Sequence, residues 1–264
     1  LVDALVGSAM MMADFNGIAR AGHVRDKLAR LMPARSDRLI GPGVRFLANR
    51  DANIHFALLT DFLDAGDATL PTDAALLDHA AAQIASLNSR YAPENGDRFF
   101  LFHRPRTWNA GERTWMGHER KRGKLAALNR VLRGGEPSAD FSQVIGAVAV
   151  LEQVRYVITL DTDTRLPRDA AREFAATLAH PLNRARIDPE KGRVTRGYGI
   201  LQPSVGSMSA HRITRYARLF GSEPGIDPYT RTVSDVYQDL FGEGSFIGKG
   251  IYDVDAFERS LDGR

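Results

Sequence analysis

Apolar and polar positions along this chain follow two periods in turn. Short runs rich in β-branched and aromatic residues occur at Asn53–Thr60 (NIHFALLT), Arg98–His103 (RFFLFH), Tyr156–Leu160 (YVITL) and Gly199–Gln202, and each predicts a strand. Pro203 stops the last of these. Helical spacing fills the intervals. Pro71-Thr72-Asp73 opens a helix with Leu77, Ala80, Ala81, Ile84 and Leu87 on one side. Gly123–Arg133 (GKLAALNRVLR) is helical by pattern, and Pro167–Ala179 carries Ala171, Phe174 and Leu178 on one face. The polar stretch Arg104–Arg122 holds Trp108 and Trp115 around Asn109-Ala110-Gly111 and predicts a hairpin or loop excursion. After Pro203 the chain reads as helical to Arg264, with a glycine-rich break from Gly242 to Gly250.

Strands alternating with helices predict an α/β fold, a mostly parallel sheet flanked by crossover helices. Residues 1–44 stand outside this scheme. They contain Met10-Met11-Met12 and many alanines and arginines, and no convincing strand, although a nucleotide-binding α/β domain should begin with one. The expected division is therefore an N-terminal segment over 1–44, read as an altered start, and a domain over 45–264.

The candidate chemistry lies at strand ends. Tyr156–Leu160 delivers Asp161 and Asp163 at its carboxyl end, where open α/β sheets bind ligands. Asp-x-Asp brings two carboxylates within reach of one divalent cation, and Mg²⁺ or Mn²⁺ held by oxygen commonly carries substrate phosphates. The same residues also suit a turn ahead of the helix that Pro167 opens. Asp61 ends the first visible strand, as a strand-end turn residue or as a ligand group. Lys121, Arg122 and Lys124 form either a solvated basic face or a nucleic-acid patch, and the lack of aromatic interleaving disfavours the second; Lys124, at the opening of a helix, also suits a pyrophosphate.

Composition narrows this only modestly. The chain has 264 residues, 44% apolar and 25% charged, with 35 basic against 32 acidic side chains. That near balance favours a small anionic ligand over a nucleic acid. With no cysteine, disulfides and thiolate metal sites are excluded. The apolar stretch near the start is interrupted by Asp3 and too short to span a bilayer, so a soluble chain is expected.

Taken in order, HFALLTD (55–61), WMGHERKRGKLAALNR (115–130), RYVITLDTDTRLP (155–167), GYGILQPSV (197–205) and GEGSFIGKGIYDVDAF (242–257) resemble the glycosyltransferase part of bacterial cyclic β-1,2-glucan synthases, which are family-2-like inverting enzymes. The resemblance runs from about Arg45 to Arg264. It implies a GT-A, Rossmann-like fold incomplete at both ends, UDP-glucose as donor, and a growing β-1,2-glucan as acceptor. Asp61 would lie by the uracil and ribose, Lys124 near the nucleotide, Asp161 toward the ribose and sugar, and Asp163 on the metal. Gly242, Glu243 and Gly244 would face the acceptor. The family's general base and its Gln-x-x-Arg-Trp-type motif come later in the chain, as do membrane helices that hold the full protein at the cytoplasmic face of the bacterial inner membrane. No catalytic residue is therefore assigned here, and the chain alone is expected to be inactive. The alternative is a catalytically silent nucleotide-sugar-binding module or an inactive fragment.

Overall fold

The computed structural model describes residues 8–18 (backbone), 49, 51–91, 96–161, 166–203, 240, 246 and 248–261. In chain order the elements are β1 (Ser8–Ile18), β2 (Ile54–Phe62), α1 (Asp73–Tyr91), β3 (Phe99–Arg104), β4 (Thr107–Asn109), β5 (Thr114–Met116), α2 (Arg120–Leu132), β6 (Gln143–Ile145), β7 (Val154–Leu160), α3 (Ala170–Ala179), β8 (Arg186–Asp188), β9 (Arg193–Arg196), β10 (Ile200–Leu201), β11 (Gly250–Asp253) and α4 (Val254–Leu261).

The main sheet has the order β10-β11-β7-β1-β2-β3-β6. Its centre, β7-β1-β2-β3, is parallel throughout. Both flanks are antiparallel: β11 on β7, β10 on β11, and β6 on β3. The sheet is thus mixed rather than mostly parallel, because short strands close each side of the parallel core. Two small hairpins, β4–β5 and β8–β9, stand apart from it.

Two sequence expectations are corrected. A strand does exist before residue 44, and it is the central one: β1 pairs with β2 on one side and β7 on the other. Its Ala- and Met-rich sequence has low β propensity, so the partners on both flanks determine its state. The glycine-rich C-terminal region is not simply a break between helices either. Gly250–Asp253 forms β11, antiparallel to β7, before α4 begins.

Strand parity then sorts the side chains into two cores. Phe56 and Leu58 of β2, Phe99 and Leu101 of β3, and Tyr156, Ile158 and Leu160 of β7 pack with Leu76, Ala80, Ile84 and Leu87 of α1 and Ala171, Ala175 and Leu178 of α3. The alternate residues, Ala57, Leu59, Phe100, Phe102 and Val157, pack with Ala127, Leu128, Val131 and Leu132 of α2 and Val254 of α4. Helices therefore cover both faces. Each large side chain so buried contributes about 1.5–3 kcal/mol. The same parity sends Asp61, Arg104, Thr159 and Asp161 toward the α2 face, and Thr60 and His103 toward the α1 and α3 face.

Candidate functional site

Asp61 and Arg104 are register partners on adjacent parallel strands. Arg104 Nη2 donates to Asp61 Oδ2 at 3.2 Å, and Lys124 Nζ lies 3.2 Å from Asp61 Oδ1. All three groups are buried, with side-chain exposures of 9% for Arg104, 5% for Asp61 and 0% for Lys124. Arg104 also donates to the carbonyls of His118 and Arg120, which fixes the start of α2 over the ends of β2 and β3. Gly117 is required beside them, because a Cβ there would overlap the Asp61 carboxylate.

Lys124 and Asn129 bound one helical motif and anchor both of its ends. Lys124 reaches β2, while Asn129 accepts from the Tyr252 hydroxyl at 2.7 Å and donates to Glu258 at 2.6 Å. The motif therefore staples α2 to β2, β11 and α4. Lys124 is neither a solvated basic residue nor an open phosphate ligand, since its ammonium is sealed against Asp61.

A second cluster lies one helix position away from Arg120. Lys121 Nζ donates to Asp161 Oδ1 at 2.6 Å and to the Gly248 carbonyl at 2.7 Å. Lys249 Nζ lies 3.1 Å from Asp161 Oδ2. These groups are only partly covered, with side-chain exposures of 36% for Asp161, 24% for Lys121 and 17% for Lys249. Burial pushes the Asp161 carboxyl up, but Lys121 and then Lys249 outweigh it and hold it below the usual carboxylate range. Thr159 Oγ1 donates to the same Gly248 carbonyl at 3.0 Å, tying the glycine loop to the end of β7.

On the opposite face, Thr60 Oγ1 and His103 Nδ1 are 2.8 Å apart. Burial drives the His103 imidazole down to about 4 against the raising influence of Asp61 and Asp73. His103 is therefore neutral at physiological pH. Arg106 pairs with Asp73 through both carboxylate oxygens and covers the Phe62 ring, clamping the start of α1.

The structure thus brings Asp61 and Lys124 together and places Asp161 at the neighbouring rim. Asp163, Gly242, Glu243 and Gly244 lie outside the described residues. Among the described residues no group of three or more His, Asp or Glu is gathered as a metal site. Of the two strand-end aspartates described, Asp161 is the accessible one, and a cation binding to it would displace an ammonium. Sequence reasoning missed Arg104 and Lys249 and left Lys121 in a generic basic run. The parity of RFFLFHR would have put Arg104 beside Asp61, whereas Lys249 carries no local signal.

In class, then, this is a mixed α/β domain with two cation-bracketed aspartates at the carboxyl ends of its parallel strands. No family model matches it. The chain is similar to cyclic beta-(1,2)-glucan synthase NdvB of Rhizobium meliloti (strain 1021), at 47% identity over 249 residues. That is 94% of this chain and 8% of the relative's length. The chain corresponds to a fragment of such a synthase. Since 45–264 comprises 220 residues, at least 29 of the 249 aligned residues precede position 45.

Proposed function

We propose that this chain is the donor-binding part of a GT-A glycosyltransferase domain, which binds UDP-glucose and, within the whole synthase, elongates β-1,2-glucan with inversion. The observation that carries this reading is the convergence of Asp61, Lys124 and Asp161 at the start of α2, in a chain 47% identical to a glucan synthase. A parallel core with helices on both faces supports the GT-A arrangement. The central position of β1 supports a domain that includes β1 rather than beginning at residue 45.

In this reading Asp61 orients toward the nucleoside, held by Arg104 and Lys124. Asp161 faces the ribose and sugar, and Asp163 with Asp161 holds Mg²⁺ or Mn²⁺. The metal would neutralise charge developing on the leaving diphosphate. Gly242, Glu243 and Gly244 line the acceptor side. The acceptor hydroxyl attacks the anomeric carbon from the face opposite UDP, and no residue of this chain is assigned as its base. Among the described residues no helix is long and apolar enough to cross a membrane. The membrane helices implied for the full synthase would hold this domain at the cytoplasmic face of the inner membrane.

Isothermal titration of the chain with UDP-glucose, with and without Mn²⁺, tests the proposal. Binding that Mn²⁺ strengthens, with that strengthening lost in Asp163→Ala, is the expected result; absence of binding in both conditions overturns it. UDP-glucose hydrolysis followed in parallel separates the two forms of the proposal, because turnover marks a transferase and binding without turnover marks a silent module.

A further inference from the structure

We infer that Lys121 and Lys249 form a diphosphate grip, with Asp161 as the internal anion that holds the two ammoniums in place until a ligand arrives. The inference rests on reading the site as a nucleotide-sugar pocket and assigns the diphosphate to these two lysines. Both ammoniums converge on one carboxylate, at 2.6 and 3.1 Å, beyond the carboxyl end of β7. In sheets of this kind that edge is where ligands sit. All three groups retain access to solvent, so the oxygens of an incoming ligand can reach both ammoniums. A diphosphate carries more negative charge than Asp161 and presents several acceptor oxygens. Each ammonium can therefore exchange a carboxylate oxygen for a phosphate oxygen with little movement.

The backbone around the pair is built to keep it there. Gly248 has φ of 81°, a left-handed conformation that glycine adopts without strain. A Cβ at this position would stand 3.1 Å from Lys121 Nζ, closer than an ordinary contact. The Gly248 carbonyl accepts from both Lys121 and Thr159, so the loop bearing Lys249 is pinned to the strand that ends at Asp161. The sealed Lys124 cannot serve in this way, because its ammonium is fully buried against Asp61. Lys121 and Lys249 therefore contribute affinity for the diphosphate and little for the nucleoside.

The test is a titration of the 264-residue chain with inorganic pyrophosphate, UDP and uridine in EDTA, repeated with UDP and Mn²⁺. The wild-type chain is compared with Lys121→Ala, Lys249→Ala and the Lys121→Arg/Lys249→Arg pair, each checked for folding by thermal melting. Pyrophosphate and UDP are expected to bind the wild type without metal. Each alanine variant should bind both about tenfold more weakly, in line with loss of one charge-assisted hydrogen bond. Uridine affinity should not change, and the arginine pair should retain most of the diphosphate affinity. UDP affinity unchanged in both alanine variants overturns the grip and leaves the nucleotide reading intact. UDP binding that needs Mn²⁺ also overturns it, again without touching that reading. Failure of the wild type to bind UDP or pyrophosphate in any condition overturns both.

Discussion

Asp61 and Asp161 sit in clusters of the same composition, one carboxylate between two cations, and in opposite surroundings. Asp61, Arg104 and Lys124 are sealed between the sheet and α2, while Asp161, Lys121 and Lys249 remain partly open at the rim. Taking ions out of water costs several kcal/mol each, so the sealed cluster persists only while every partner is in place. The rim cluster is solvated, and ion pairs of that kind contribute about 0–1 kcal/mol. A weakly held pair can exchange partners with a ligand; a sealed one cannot without opening the fold. The difference makes Asp61 and its cations a fixed, pre-set wall on the nucleoside side of the proposed site, and assigns ligand exchange to Asp161 and its lysines. The start of α2 links them, because Arg104 grips the Arg120 carbonyl and the next residue, Lys121, grips Asp161.

The contrast can be broken most sharply at Asp61. Asp61→Ala leaves two buried cations facing each other and should lower the unfolding free energy in urea by about 3–5 kcal/mol. A loss below about 1 kcal/mol would show that the cluster is not structural.

The pH dependence gives the next largest effect. His103 has its folded pKa lowered from 6.5 to about 4, so below pH 6.5 the unfolded state binds a proton that the folded state refuses. Stability is therefore full above pH 6.5 and falls as the pH drops toward 4, by about 3 kcal/mol in all. His103→Gln should flatten that slope in denaturation curves taken across the range. At the rim the sign is the same and the window lower. The depressed Asp161 carboxyl contributes stability above its ordinary carboxylate pKa and loses it as the pH falls through the folded value. Solvent screening keeps this contribution small.

Gly117→Ala tests the packing of the sealed cluster without removing a charge. Its Cβ would displace the Asp61 carboxylate, at a cost of about 1–3 kcal/mol by overpacking. Asp161→Asn should be the mildest, changing stability by less than about 1 kcal/mol in the same assay. A loss as large as that of Asp61→Ala would erase the distinction between the two clusters.

How much of this was legible in the sequence depends on what determines each element. β2, β3 and β7 are rich in aromatic and β-branched residues, and their apolar runs gave their positions to within a residue or two. The strand-end aspartates followed from them, as did the Trp108–Trp115 hairpin, whose rings face each other across β4 and β5. β1 was illegible because alanine and methionine favour helix, and only neighbours on both sides make Ser8–Ile18 a strand. β11 and β6 are three or four residues long and exist through antiparallel pairing with β7 and β3. Period alone cannot register so short a segment. The site was legible in its carboxylates and only partly in its cations. Lys121 and Lys124 lie three residues apart on one face of α2, yet one reaches the rim and the other is buried, because they sit about a turn apart along the helix and meet different strands.

The most direct measurement is an amide chemical-shift titration of the 264-residue chain with UDP-glucose and Mg²⁺. The largest shifts should fall at Lys121–Lys124, Thr159–Asp161 and Gly248–Gly250, around the carboxyl ends of β2 and β7. Shifts centred on the opposite edge of the sheet, near Ile54, Phe99 and Val154, or no saturable shifts at all, would contradict the placement of the donor site.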